Sequence, residues 1–294
     1  MAAATRNSKI RLLAVDVDGT LLCGGTVDPA DADALRAAAE AGIVVCLCTG
    51  RSWNEVREIW EEMNLPDPRA PVVCAGGALV VEPDTGRSLY SRPFDRATAD
   101  ELAQEMHGLG YPVMALVDGW REGFDYYIIG RYEDHPLYRR FFDRRERRIR
   151  QVTELNRPDH ARPLRISVLE ERDRADELVG MFRRRFAGRI EIQAIWLRGL
   201  DLHIVEAFAA GANKFTAMVY VGQGCRIGPG AMAAIGDDYN DLPLLQGAAL
   251  SATTADAPDE LRRAADVIVA PRGQRAVAEF VDMLLANRAD QRPR

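Results

Sequence analysis

Carboxylates recur in this sequence where buried strands should end. The apolar run from Ile10 closes on Asp16 and Asp18, and the run from Ala231 to Ile235 is followed by Asp237 and Asp241. Open α/β sheets bind ligands outside the carboxyl ends of their strands. Four acids meeting in one such crevice repel each other unless a cation sits among them. Hard divalent ions take oxygen donors, and Mg²⁺ accepts one or two carboxylates together with a phosphate oxygen. A single strand-end Asp is equally a turn former or a helix cap, and Asp18-Gly19 alone is a turn dipeptide. The combination is what points to chemistry. A lone lysine sharpens it: of 38 basic residues, 36 are Arg and only Lys9 and Lys214 are Lys. The Arg bias reads as the coding preference of a GC-rich genome, so a Lys kept where Arg would serve equally well is unexpected.

The elements that must position these groups follow from hydrophobic runs. Ile10–Val17 and Ile43–Cys48 read as buried parallel strands, with an Ala-rich helix over Asp31–Ala41 stopped by Gly42. A helix from about Asn54 to Met63 and a short strand Pro71–Cys74 complete a β-α-β-α-β order, which predicts a parallel sheet covered by helices. From about Pro83 to Ala207 the pattern changes. Helical stretches (Thr98–Leu109, Asp173–Phe186) alternate with strand-like ones (Phe124–Ile129, Leu164–Leu169, Ile190–Leu197, Leu202–Val205). The last two are separated by a hairpin loop at Arg198–Asp201. The first pattern then returns, with a helix at Asn213–Tyr220, the strand Ala231–Ile235, a helix at Leu242–Gln246, strands near Leu250 and at Val267–Val269, and a closing helix Ala276–Asn287. The tail Ala289–Arg294 is polar and reads as frayed.

Placed on these elements, four segments stand in order. They are Asp16-Val17-Asp18-Gly19-Thr20-Leu21-Leu22, Thr49-Gly50-Arg51, Lys214 at the head of a helix, and Gly236-Asp237-Asp238-Tyr239-Asn240-Asp241. Together they resemble the four motifs of the haloacid-dehalogenase-like (HAD) hydrolases, and the last is similar to the Gly-Asp-x-x-Asn-Asp form of the Cof-type phosphatases. The resemblance implies a Rossmann-like α/β core over residues 1–82 and 208–294. It also implies an inserted α+β cap of the C2B type over 83–207, because the long insertion lies between the second and third motifs. It implies Asp16 as a nucleophile that becomes an aspartyl-phosphate and Asp18 as the general acid and base. Thr49 (hydroxyl and backbone N–H), Gly50, Lys214 and Asn240 would hold the phosphoryl group. Mg²⁺ would be held by Asp16, Asp237 and the backbone carbonyl of Asp18, with Asp241 supporting the metal's surroundings and Lys214. Strand alternation should put the side chains of Asp16 and Asp18 on one face. The implied activity is hydrolysis of a small soluble phosphomonoester, a sugar phosphate among the candidates. A phosphomutase of the phosphomannomutase type and a non-catalytic phosphometabolite-binding protein on the same fold are the alternatives.

Two departures from the family pattern stand out. The segment Gly211-Ala212-Asn213-Lys214 keeps the Gly and Lys of a Gly-Val-Ser-Lys-Gly run but is followed by Phe215, with Asn213 as an N-cap. Cys74-Ala75-Gly76-Gly77-Ala78 has Gly76 where Cof-like proteins often carry Asn. Other features read as structural. The glycines from Gly222 to Gly230 fail the Gly-x-Gly-x-x-Gly spacing at Ile227, and the Arg139–Arg150 run is interleaved with acids. His203 and the four Trp read as packing residues, with Trp53 near a pocket entrance. Cys23 to Pro29 is the only short segment between Asp16 and Thr49 able to form a flap.

Composition narrows the rest. A net charge of -6 argues against nucleic acid as a partner, and no run of about 18 apolar residues calls for a membrane. Five Cys without metal-ligand spacing read as thiols in a reducing cytoplasm, with Cys46 and Cys48 as small buried hydrophobes in an apolar run. No signal-peptide pattern opens the chain, and a monomer or homodimer is expected.

Overall fold

In the computed structural model the described residues are 10–67, 70–142, 148–197 and 200–289. Lys9, Arg198, Gly199, the middle of the Arg139–Arg150 run and the tail from 290 lie outside them. The chain divides into two compact units, one running to Gly86 and again from Asn213, the other Arg87–Ala212. The divisions expected from sequence, at 82/83 and 207/208, fall a few residues earlier in each case. The strand Leu202–Ala209 runs two residues past 207, which carries the second division beyond it.

The first unit is built on a five-stranded parallel sheet. Its order is Val267–Val269, Leu250–Thr254, Met232–Gly236, Leu12–Val15, Val44–Leu47. Every residue of Leu12–Val15 and of Met232–Gly236 is buried, as a strand covered on both faces requires. Leu12–Val15 pairs with Met232–Ile235 on one side and with Val44–Leu47 on the other. The strand order therefore reverses at this pair, and a crevice opens at such a switch point. Asp16 and Asp237 are the residues that emerge there.

Local signals explain the covering helices. Pro29–Glu40 starts on Asp28, whose carboxylate accepts the Ala30 N–H, with Pro29 in the first turn. Trp53–Met63 starts on a capping box between Ser52 and Glu55. Lys214–Gly224 starts on Asn213, whose side chain accepts the Thr216 N–H at 2.9 Å. That helix includes Gly222 and Gly224, so the glycine run is part helix and part connection. Trp53 packs edge-on against Trp60 at 6.1 Å. The expected flap segment forms a short hairpin, Leu22–Cys23 with Thr26–Val27.

The second unit is α+β. Its six-stranded sheet runs Ile149–Val152, Tyr126–Ile129, Val113–Leu116, Arg165–Glu170, Leu202–Ala209, Ile190–Leu197. Pairing is antiparallel except between the first two. Phe94, Leu102 and Met106 meet Leu178, Phe182 and Phe186 over Ile166, Val168 and Val205 to form its core. His203 lies in this sheet opposite Trp196. All five cysteines are free thiols. Among the described residues no helix is long and apolar enough to cross a membrane.

Candidate active site

Lys214 is the centre of the site. It is the first residue of its helix, its side chain is fully buried, and its Nζ lies 2.6 Å from Asp16 Oδ1 and 2.6 Å from Asp241 Oδ1. Asp237 completes the group: Asp16, Asp237 and Asp241 each bring a carboxylate oxygen within 4.8 Å of the others. All three are buried. One ammonium thus faces three acids in a place with little water, and the ionisations shift accordingly. Burial, then Asp241, push the Asp16 carboxyl up to about 7, against the pull of Lys214. Burial, then Asp16, hold Asp237 well above the usual carboxylate range, and burial raises Asp241 despite Lys214. For Lys214, burial opposes the charge, but Asp16 and Asp241 outweigh it and keep the ammonium charged.

The Gly236–Asp241 segment folds as it does for identifiable reasons. Asp238 accepts the Tyr239 N–H and starts a tight turn over Tyr239–Asp241. The turn brings the Asp241 carboxylate back, and its Oδ2 accepts the N–H groups of Asp237 and Asp238 at 3.1 and 3.3 Å. A Cβ on Gly236 would stand 2.3 Å from Asp241 Cγ, so only glycine lets the carboxylate seat there. Asp241 thus engages Lys214 with Oδ1 and two backbone amides with Oδ2. Asp237 takes the Thr20 hydroxyl on Oδ1 at 2.9 Å and Arg272 Nη1 on Oδ2 at 3.0 Å.

A divalent cation of the hard class fits this donor set. The donors are carboxylate oxygens with more negative than positive charge, and Asn240 Oδ1 is buried without a hydrogen-bond partner. Such an acceptor suits water held around a hydrated ion. Asp16, Asp237 and Asp241 are the residues that could hold such an ion.

A family model of haloacid dehalogenase-like hydrolases matches residues 13–281. The chain belongs to that family. Within it, this hydrolase is of the Cof type. A HAD/Cof-like hydrolase from Plasmodium vivax superposes with a TM-score of 0.78 at 20% identity, over 97% of this chain and 98% of that one. A HAD subclass IIB sugar phosphatase, BT4131, superposes with a TM-score of 0.74 at 17% identity, over 93% and 98%. The make-up of the second unit is consistent with a subclass IIB cap. Phosphatase YwpJ of Bacillus subtilis is 25% identical over 94% of this chain and 100% of that protein.

Two expectations about this HAD hydrolase need correction. The strand ends at Val15, so alternation along it does not carry Asp18 to the face of Asp16. The half-exposed Asp18 carboxylate is instead bonded at both oxygens by Arg51, Nε at 2.8 Å and Nη2 at 2.6 Å. The Thr49 backbone N–H is not available to a phosphoryl oxygen either. It donates to Val73 O at 2.9 Å, because the sheet extends by a bridge between Cys48 and Val73. The buried Thr49 hydroxyl accepts the Arg51 N–H at 3.1 Å and keeps its own proton to donate. Gly50 is half-buried beside it, with open space where a Cβ would project.

The segment with Gly76 in place of Asn forms a tight turn, Ala75–Gly77. Gly77 has φ +98°, and a Cβ there would sit 2.1 Å from Asn213 O and 2.6 Å from Lys214 N. The turn therefore abuts the backbone that launches Lys214. Sequence reading missed Thr20, Arg51, Asp256 and Arg272 as members of the site. Thr20 and Arg51 lay inside quoted motifs and could have been found by asking what partners each Asp.

Proposed function

We propose that this HAD hydrolase is a Mg²⁺-dependent phosphomonoester hydrolase working through an aspartyl-phosphate on Asp16. The observation that carries the reading is the Lys214 ammonium, fully buried and 2.6 Å from both Asp16 and Asp241. Curated relatives with phosphatase names support it. Because Lys214 engages Oδ1, Oδ2 of Asp16 is the oxygen assigned to attack phosphorus. The new O–P bond forms as the bond to the leaving oxygen breaks, and Asp18 gives that oxygen a proton. Asp18 then takes a proton from water, which attacks phosphorus, frees Asp16 and releases phosphate.

For Asp18 to do this, its carboxylate must exchange out of the Arg51 fork. The Thr49 hydroxyl, Gly50 and Asn240 bind phosphoryl oxygens, and Lys214 stabilises charge on the transferring group. Asp16, Asp237 and the backbone carbonyl of Asp18 would hold Mg²⁺, which would supply positive charge to offset the repulsion between a carboxylate nucleophile and a phosphate dianion. Asp241 holds Lys214 and the Asp237 backbone in register. The inserted unit selects the leaving group, as befits a cap.

The substrate class is a small phosphorylated metabolite. Sugar phosphates are the first to test, since BT4131 is titled a sugar phosphatase. Five unpaired thiols suit a cytoplasmic setting. The test is phosphate release from p-nitrophenyl phosphate and a metabolite panel, with Mg²⁺ and with EDTA. Release that stops in EDTA and returns with Mg²⁺ is expected. No turnover of any phosphoester under either condition overturns the reading.

A further inference from the structure

Arg272 has no part in the reaction just described, yet it is fixed against one of the site's acids. Its side chain is 9% exposed. Three of its donors are spent on one residue. The backbone N–H reaches Asp256 Oδ1 at 3.1 Å, Nε reaches Asp256 Oδ2 at 2.7 Å, and Nη2 reaches the Asp256 carbonyl at 2.8 Å. That leaves Nη1 aimed at Asp237 Oδ2, 3.0 Å away, while Thr20 holds the other oxygen. The device is assembled from the carboxyl ends of three neighbouring strands. Asp237 follows Met232–Gly236, Asp256 follows Leu250–Thr254, and Arg272 follows Val267–Val269. Asp256 thus grips the guanidinium at two points and the Arg272 backbone at a third, and the fork still presents its Nη1 donor to Asp237.

The charge count gives this arrangement a consequence. When ionised, the buried acids Asp16, Asp237 and Asp241 bring three negative charges, and Lys214 and Arg272 return two positive ones. We propose that Arg272 is a resident counter-cation of Asp237, set in place by Asp256, which weakens divalent-cation binding to the resting site and makes it depend on a phosphoryl anion. The proposal rests on the metal-dependent reading above. A dication entering beside Asp237 meets a guanidinium one hydrogen bond from its ligand, held by bonds that keep it from swinging away. A phosphoryl dianion adds the missing negative charge. Metal and phosphorylated ligand then bind cooperatively, and each raises the affinity of the other by the same factor.

The test is titration calorimetry of Mg²⁺ on the metal-free full chain, with and without inorganic phosphate, for wild type, Arg272→Gln and Arg272→Lys. Saturating phosphate is expected to tighten wild-type Mg²⁺ binding about tenfold or more. Arg272→Gln is expected to bind Mg²⁺ about tenfold more tightly than wild type without phosphate, and to gain less than about threefold from phosphate. Arg272→Lys, which keeps the charge, should stay near wild type. Melting curves give a second readout: in EDTA the Gln variant should melt below wild type, and Mg²⁺ should raise its Tm by more. Unchanged or weaker Mg²⁺ binding in Arg272→Gln, or equal tightening in the Lys variant, overturns the proposal. Should Arg272→Gln fail to fold, the wild-type titration decides, since binding indifferent to phosphate also overturns it. Wild type that binds no Mg²⁺ with or without phosphate removes the metal-dependent reading and this proposal with it.

Discussion

Each unit of the molecule buries charge on a sheet, and the two do so differently. In the second unit Arg165 pairs with Glu206 at 3.2 Å, with side chains 6% and 3% exposed. The partners are matched one to one. Tyr126 Oη accepts from Arg165 Nη2 at 3.1 Å, and Gln193 donates to Glu206 Oε1 at 2.9 Å. In the first unit two cations, Lys214 and Arg272, face three acids. A balanced, hydrogen-bonded pair can be a finished piece of structure. An unbalanced cluster in a buried place costs stability, and it makes sense where something that binds later completes it.

Substitutions can break this contrast. The largest effect should come from Asp16→Asn, which is expected to lower phosphate release at least about 1,000-fold. The same change removes one acid from an overcharged group, so Tm in EDTA should not fall. A variant with full activity would falsify the nucleophile assignment. Next comes the balanced pair. Glu206→Gln should destabilise its unit by about 3–5 kcal/mol in denaturant titration, because it strands the buried Arg165 guanidinium. A loss under about 1 kcal/mol would show that Glu206 and Arg165 do not depend on each other.

Lys214→Arg probes the other side. A planar guanidinium does not fit where one compact ammonium meets two carboxylates at 2.6 Å, and kcat should fall about 100- to 1,000-fold. Retention of wild-type kcat would mean that only charge matters there.

The smallest effect is a pH slope in metal-free protein. Asp16, at about 7 when folded and near 3.9 when unfolded, binds a proton in the native state across that window and not in the unfolded chain. Native protein takes up more protons, so stability should fall as pH rises from about 4 to about 7. Mg²⁺ should flatten the slope. A Tm that climbs with pH over this range in EDTA would contradict the cluster's electrostatics.

The contrast also explains what could be read from sequence. Asp16, Lys214, Asp237 and Asp241 stood out because each sits at the end of an apolar strand or the start of a helix, and such signals are local. Lys214 was conspicuous because so few lysines surround it. The same bias hid Arg272: among 36 arginines, one more after a strand carries no signal. Arg51 and Asp18 are 33 residues apart, and their pairing depends on where two loops meet. The Thr49 N–H was misassigned because the bridge to Val73 is a tertiary event. In the second unit the strands Val113–Leu116 and Ile149–Val152 went unread. The first is four residues long, and the second is polar enough that pairing, not its own pattern, makes it a strand.

The Gly77 turn has a last consequence, for modularity. It comes from chain that precedes the insertion, and it lies against Asn213 and Lys214, which follow it. The two ends of the first unit are thus fitted to each other by a contact within that unit. Lys214 is registered by its own unit, so the intervening segment can be exchanged for another without moving the backbone that delivers the ammonium. The reacting groups and the inserted unit are then separate objects of selection.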